Sequence, residues 1–433
     1  MTGGLATGGS RRWHRIGILG QVAKATTHAP EHGLPWLTPG VRGIGAASLL
    51  SDLGHEVPTA LLPALLSTTL GASASALGLI EGIADGLAGV ARLGGGALAD
   101  DPVRRRAAAV GGYTSTAVLS SLIGGATAAW QVGVLRAGAW ASRGLRVPAR
   151  NALLADVVTP TAYGRAYGFE RFMDNLGAIG GPLLALALVA AVSVRSAILI
   201  SVIPGLLATG AILYAIRHTP APTNRVRQPI RLQVRPVLKG RLGRLLIAVG
   251  AFELGNVAAT LFILRATQEF TPAHGTKAAA EIALVLYTAY NVAATAASIP
   301  AGRWADRRGH VLVLIAGVAA FFAAYLGFAL AGGVLVLLIS FLIAGVAIGC
   351  IETAEHAAVA SLAAPSLRGS AFGLLAAVQS LGNFAASAIA GLLWTVVSPF
   401  VAFVYLAGWM LVALVGLLFL RGSPTASGRQ GRA

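Results

Sequence analysis

Residues Gly96-Ala97-Leu98-Ala99-Asp100 close one apolar run and lead directly into Asp101-Pro102-Val103-Arg104-Arg105. Gly302-Arg303-Trp304-Ala305-Asp306 closes another and leads into Arg307-Arg308-Gly309-His310. The copies lie about 200 residues apart, a self-similarity that points to an internal repeat. Two further pairs keep nearly the same offset. Asp52-Leu53-Gly54-His55 matches Glu253-Leu254-Gly255-Asn256, and Gly164-Arg165-Ala166-Tyr167-Gly168-Phe169 matches Gly369-Ser370-Ala371-Phe372-Gly373-Leu374. Three anchors in one order divide the chain into two halves built alike.

Around these anchors the chain is strongly apolar. Its 433 residues are 56% hydrophobic and only 11% charged, with a mean hydropathy of +0.74. Soluble globular domains carry about 25% charged residues, so a soluble enzyme, a disordered scaffold or a secreted disulfide framework does not fit. The single cysteine, Cys350, excludes an intramolecular disulfide and a cysteine metal cluster. Apolar runs of about 20 residues, enough to cross a bilayer, are expected at 43–66, 77–98, 107–126, 129–149, 164–190 and 196–216. A second set follows at 244–265, 279–301, 310–330, 334–357, 369–394 and 400–420. The expected architecture is an all-α membrane protein with a basic tail (1–42), a six-helix bundle (43–216), a linker (217–243), a second bundle (244–420) and a short tail (421–433).

The net charge of +17 arises mainly in the termini, the linker and alternate loops, among them Arg104–Arg106 and Arg307–Arg308. Arg143, Arg146, Arg150, Arg165 and Arg171 read with them as one more basic stretch. This is the positive-inside pattern. It places both termini and the linker in the cytoplasm and the chain as a multi-pass protein of the inner (plasma) membrane. Nucleic acid is not expected as a partner, because no groove-reading or aromatic residues interleave the bases. Ser10-Arg11-Arg12 resembles a twin-arginine signal, but no adequate apolar stretch follows it, so a plain basic tail is expected.

The segments at 96–105 and 302–310 resemble the loop 2–3 signature of the major facilitator superfamily. The second copy keeps the family's Asp-Arg-x-Gly order; in the first, Asp101 stands for the usual Arg and Val103 for the usual Gly. The resemblance implies two pseudo-symmetric six-helix bundles and transport by alternating access. It also implies a latch formed by Gly96, Asp100, Arg104, Gly302, Asp306 and Arg307. Gly177-Ala178-Ile179-Gly180-Gly181-Pro182 is similar to the family's helix 5 antiporter signature, although Ala185-Leu186 replaces its trailing Gly-Gly. Gly177, Gly181 and Pro182 imply close helix packing and a bend.

Acids embedded in apolar runs are the candidate functional groups, since each costs about 2.5–3.5 kcal/mol at a helix centre. Asp52 and Glu56 share a face of the first span, with His55 beside them, and Glu253 and Asn256 are their counterparts in the second half. The family resembled lines its cavity with helices 1, 4, 7 and 10, so these residues are candidates for proton or substrate binding, or for a structural hydrogen-bond network. Arg136 is a further candidate, with Glu56 a conceivable partner. Glu352, Glu355 and His356 match Arg146, Ala149 and Arg150 of the other half. Pairing of Arg146 or Arg150 with Glu352 or Glu355 across a cytoplasmic gate is expected, the alternative being helix-end charges that reach the interface. Glu81 and Asp85 share a face near the outer end of the second span, where they are expected to face water, the alternative being that they recruit cations.

No phosphate-binding Gly-x-x-x-x-Gly-Lys loop, nucleophile elbow or His-Glu-x-x-His motif occurs, so neither an enzyme nor a cofactor or metal is expected. The favoured expectation is a secondary transporter, functional as a monomer in the lipid bilayer, that exports a small organic molecule against protons. Proton-coupled uptake of a small solute, or a transport-inactive membrane sensor, would use the same fold.

Overall fold

Thr38 begins the first helix by accepting the Val41 amide at its hydroxyl, and Pro39 occupies the first helical position, where it needs no donor. The computed structural model describes residues 36–219, 230–330 and 332–422. Ser10-Arg11-Arg12, most of the basic tail, the middle of the linker and the end of the C-terminal tail lie outside the described residues.

Helix α1 spans Pro39–Ala64 and ends, after Pro58 and Pro63, in a widened π-type turn over Leu65–Thr69. It is followed by α2 (Ala74–Ala99), α3 (Pro102–Leu122), α4 (Ala129–Asp156), α5 (Tyr163–Ala191) and α6 (Val194–Arg217). The second half opens with α7 (Gly240–Glu253), which stops and resumes over residues 260–274. Gly275, at φ 78°, turns the chain into α8 (residues 276–308). Then come α9 (His310–Leu330), α10 (Val334–Leu362), α11 (Arg368–Val396) and α12 (Pro399–Gly422). Helices α1–α6 form one bundle and α7–α12 the other. No strand occurs among the described residues.

Seven helical stretches among the described residues are long and apolar enough to cross a membrane, and all lie from residue 160 onward. The first four helices do not meet that combined measure of hydropathy and charge, and three of them show why. They carry the embedded groups: Asp52, His55 and Glu56 on α1, Glu81, Asp85 and Arg92 on α2, and Arg136 to Arg150 on α4.

Small residues set the packing within each bundle. A Cβ on Gly54 would lie 3.0 Å from the Gly205 backbone, one on Gly144 2.5 Å from the Ala88 carbonyl, and one on Gly349 2.4 Å from the Ala294 carbonyl. Close backbone approach of this kind replaces the hydrophobic drive that lipid removes.

Two expectations need correction. The fourth span ends at Asp156, not near 149, so Arg150 is helical like Arg143 and Arg146; Arg146 and Arg150 are buried, and the three do not form a basic loop. The seventh span is broken. Residues 254–259 are non-helical, and neighbouring helices take up the freed groups: Tyr325 donates to the Gly255 carbonyl (2.6 Å), Asn383 to the Asn256 carbonyl (2.8 Å), and the Ala258 amide donates to Ser387 (2.9 Å). Irregular backbone within a span is tolerated where side chains satisfy it in this way.

Candidate functional site

The repeated anchors meet crosswise. Gly96 on α2 faces Gly369 and Gly373 on α11, where a Cβ would lie 2.8 Å from the Gly369 carbonyl. Gly302 on α8 faces Gly164 on α5, with 2.2 Å left between a Cβ and the Gly164 carbonyl. Each half therefore docks its Gly-x-x-x-Asp segment on the glycine segment of the other. Asp306 then accepts the Gly164 amide (2.6 Å), the Arg165 amide (3.1 Å) and the Arg165 Nε (2.8 Å). Asp100 accepts the Ser370 amide at 2.8 Å and also the Ser370 hydroxyl. Both carboxylates cap the positive end of a helix from the opposite half, and this end of the molecule is shut.

The arginines of the latch differ from expectation. Arg104 pairs with Asp101 in its own turn, 3.8 Å away, and Arg307 is exposed with no ion pair among the described residues. Arg105 takes the bridging role. It donates to the Ala99 carbonyl and pairs with Asp156, which also holds Arg368 of α11 at 3.2 Å. The departures in the first copy have a local cause. Asp101 caps α3 by accepting the Val103 and Arg104 amides (2.9 and 3.2 Å), so the chain turns without a left-handed residue. In the second copy the turn passes through Gly309 at φ 91°, where glycine is needed.

Inward of the latch, α1, α4 and α5 assemble a charged cluster. Arg150 pairs with Glu170 (2.7 Å) and Asp174 (3.2 Å) and donates to Ser48 (3.0 Å), whose hydroxyl donates to Glu170 (2.8 Å). Arg171 closes the ring on Glu170 (2.8 Å) and Asp174 (3.3 Å). Asp174 lies within electrostatic reach of Asp52. Asp52 also has Arg143 at 3.8 Å and His55 Nδ1 at 3.4 Å, and His55 Nε2 lies 3.4 Å from Glu56. Gly177 and Gly181 bring α5 to this face of α1. A Cβ on them would lie 2.8 Å from the Asp52 Cβ and 2.3 Å from the Glu56 Cβ.

The side chains of Arg143, Glu56 and Glu352 are 31%, 25% and 33% exposed although they sit well within their helices, and each has a partner inside the bundles. Arg136 does not pair with Glu56. It donates to Thr59 (3.0 Å) and Glu81 (3.0 Å) and lies 3.3 Å over the Trp140 ring, whose Nε1 donates to Asp85 (2.9 Å). Glu81 and Asp85 are thus tied to α4 and do not simply face water.

The expected gate pairs are not formed either. Arg146 lies 4.1 Å over the Tyr113 ring and Arg150 is held within its own half. The cation that crosses to Glu352 is Arg171, at 4.0 Å. Glu355 accepts from Gln379, His356 Nδ1 lies 2.6 Å from the Glu352 carbonyl, and Glu253 accepts from Asn256 at 2.9 Å. Sequence reasoning missed Arg143, Gln379 and Asn383, whereas Glu170, Arg171 and Asp174 form the internal charge cluster that the start of α5 suggested. Of the missed residues, Gln379 and Asn383 are a polar pair four apart in an apolar run, a signal that was present. Pro182 lies within α5 just past Gly181. No group of three His, Cys, Asp or Glu residues suited to a metal occurs among the described residues.

Comparison with known proteins agrees with this architecture. The chain is 30% identical over 391 residues to an uncharacterised MFS-type transporter of Methanocaldococcus jannaschii, covering 89% of this chain and 95% of that one. It is 27% identical over 366 residues to an uncharacterised protein of Mycobacterium tuberculosis, covering 81% and 86%. Among solved structures, a bacterial homologue of the iron transporter ferroportin in an outward-facing state superposes with a TM-score of 0.71 at 16% identity, over 89% of this chain and all of that one. The E. coli fucose:proton symporter gives 0.69 at 14% identity, over 90% of this chain and all of that one. The model of the Major Facilitator Superfamily matches residues 44–276 and 246–433, and the chain belongs to that superfamily of membrane transporters.

Proposed function

We propose that the protein is a proton-coupled exporter of a small organic molecule, working by alternating access as a monomer in the inner membrane. The latch end, with its basic loops, faces the cytoplasm, so the state described is outward-facing. The observation that carries the reading is the placement of Asp52. Its carboxyl lies within 4 Å of His55 and Arg143 and within electrostatic reach of Asp174, with Arg143 and Glu56 partly exposed beside it. Neighbouring carboxyl groups cannot both ionise without cost, so the cluster offers a proton site whose occupancy depends on Arg143 and on a substrate bound beside it. A substrate that draws Arg143 or Glu56 away changes that occupancy, which is the minimum needed for exchange.

Proteoliposomes with an internal pH dye test this. Substrate added against a gradient should drive proton movement, Asp52→Asn should abolish it, and a strain overproducing the protein should gain tolerance to the compound. Proton flux unchanged in Asp52→Asn overturns the mechanism. Sensitisation of the strain instead of tolerance assigns the same machinery to uptake.

A further inference from the structure

The two halves treat their buried acids differently. In the first half Asp52, Glu81, Glu170 and Asp174 each have an arginine within 4 Å. In the second half Glu355 and Glu253 have none. Glu355, on α10, is 0% exposed; one carboxyl oxygen accepts from Gln379 of α11 and the other, Oε2, has no hydrogen-bond partner. Glu253, the last residue before the α7 break, is 3% exposed and accepts from the Asn256 amide. The two carboxyls are in Coulombic reach of each other.

The surrounding charged and titratable groups supply no counter-ion. On α10, Glu352 is turned to Arg171 of α5, and His356 lies 3.8 Å from Glu355 with its Nδ1 2.6 Å from the Glu352 carbonyl. From α9, the hydroxyl of Tyr325 is committed to the Gly255 carbonyl. From α2, across the interface between the halves, Arg92 reaches toward Glu253 but donates to the Ala376 carbonyl at 3.2 Å, and its Nε is buried without a partner. A buried carboxylate without a cation is among the costliest arrangements in a protein. A neutral acid in the same place carries no buried charge and keeps the amide that Gln379 already gives its carbonyl oxygen.

We infer that Glu355, with Glu253 beside it, is a proton-holding site in the second half, loaded while the latch end is shut and emptied when that end opens. This rests on the proton-coupled reading above and adds a site separate from Asp52. The release step is the O–H bond of the Glu355 acid breaking, with the proton passing to entering water and the electron pair remaining on the carboxylate. The trigger is built into the interface. The Arg92–Ala376 bond joins α2 to α11 and must break as the halves part, which frees a guanidinium beside Glu253 and admits water to the pair.

Infrared spectroscopy of the full chain in nanodiscs tests the site independently of transport. At neutral pH the wild type should show the carbonyl stretch of a protonated carboxylic acid, and Glu355→Gln should remove it. Gln379→Leu should keep the band and move it to higher frequency as its hydrogen bond is lost, which guards against a Glu355 variant that fails to fold. A wild type without the band, or a band unchanged in Glu355→Gln, overturns the inference. In proteoliposomes, proton flux retained by Glu355→Gln but lost in Asp52→Asn removes this site and leaves the exporter reading standing. Absence of any proton flux in the wild type removes that reading, while the infrared result still decides on Glu355.

Discussion

The Oδ1 of Asp306 lies 2.6 Å from the amide nitrogen of Gly164, joining the last turn of α8 to the first turn of α5 and so one half of the molecule to the other. Asp100 makes the equivalent bond to the Ser370 amide at the start of α11. Neither bond is possible unless the glycine helices meet backbone to backbone, so the two parts of each repeated motif act as a single device. The glycines permit the approach and the carboxylate rewards it, using the unpaired amides of a helix start.

Asp306→Asn should open this end. The carboxylate holds two amides and a guanidinium, and hydrogen bonds to a charged group contribute about 1.5–3 kcal/mol each when shielded. Arg165 is 34% exposed, so its share is discounted. The expected result is about a tenfold shift of the equilibrium away from the state with this end shut, since 1.36 kcal/mol corresponds to a factor of ten. Spin labels at Thr159 and Ser366, in exposed turns of opposite halves, should report longer distances; an unchanged distribution would show that the glycine contact alone holds the end shut.

Arg171 and Glu352 are unequal partners. Glu352 is 33% exposed and 4.0 Å away, whereas Arg171 also serves the buried Glu170 and Asp174. Glu352→Gln should therefore change stability by less than about 1 kcal/mol. Arg171→Met leaves two buried carboxylates sharing Arg150 and should cost about 3–5 kcal/mol. Thermal unfolding in detergent separates them. Equal losses would make the contact across the halves a structural pair and not a releasable gate.

The division into halves and the embedded acids of α1 and α10 were legible from spacing, because repeats and helical faces are sequence properties, and the latch carboxylates from the resemblance to the superfamily's loop signature. Partner choice was not. Periodicity shows that Asp52 and Glu56 share a face, but not that Asp174 and Arg143 meet it, nor that Arg136 turns to Glu81. Those depend on how the helices rotate and cross. The break after Glu253 was hidden as well, since Leu254 to Ala259 is as apolar as an unbroken span and only the side chains of Tyr325, Asn383 and Ser387 mark it. Positive charge misled once, where arginines buried in α4 read as a loop.

Gly181→Ala should impair transport more than it impairs folding. The added Cβ would lie 2.3 Å from the Glu56 Cβ, and α1 must shift to admit it. Overpacking of this kind costs about 1–3 kcal/mol, but the displaced group belongs to the proposed proton cluster. Proton flux should fall severalfold while the protein still inserts and purifies as a monodisperse species. Gly111, whose Cβ would meet nothing within 4 Å, is the control, and Gly111→Ala should leave flux intact. Similar flux in both variants would detach the α1–α5 contact from the mechanism.

Arg136→Lys should destabilise the first bundle despite keeping the charge. One guanidinium joins three helices: Nη1 donates to Thr59 of α1, Nη2 to Glu81 of α2, and the plane stacks at 3.3 Å on Trp140 of its own helix. A lysine ammonium has neither the planar fork nor the flat face, so it can satisfy one contact only by giving up the others. The side chain is 1% exposed, and water cannot make up the difference. A loss of about 1–3 kcal/mol is expected, the cost of stranding buried polar groups, with Arg136→Met losing more because Glu81 then has no counter-ion. Thermal melting with Arg136→Lys, Arg136→Met and Glu81→Gln side by side decides the point. A lysine variant as stable as the wild type would mean that charge alone matters here, and the three-helix clamp would have to be abandoned.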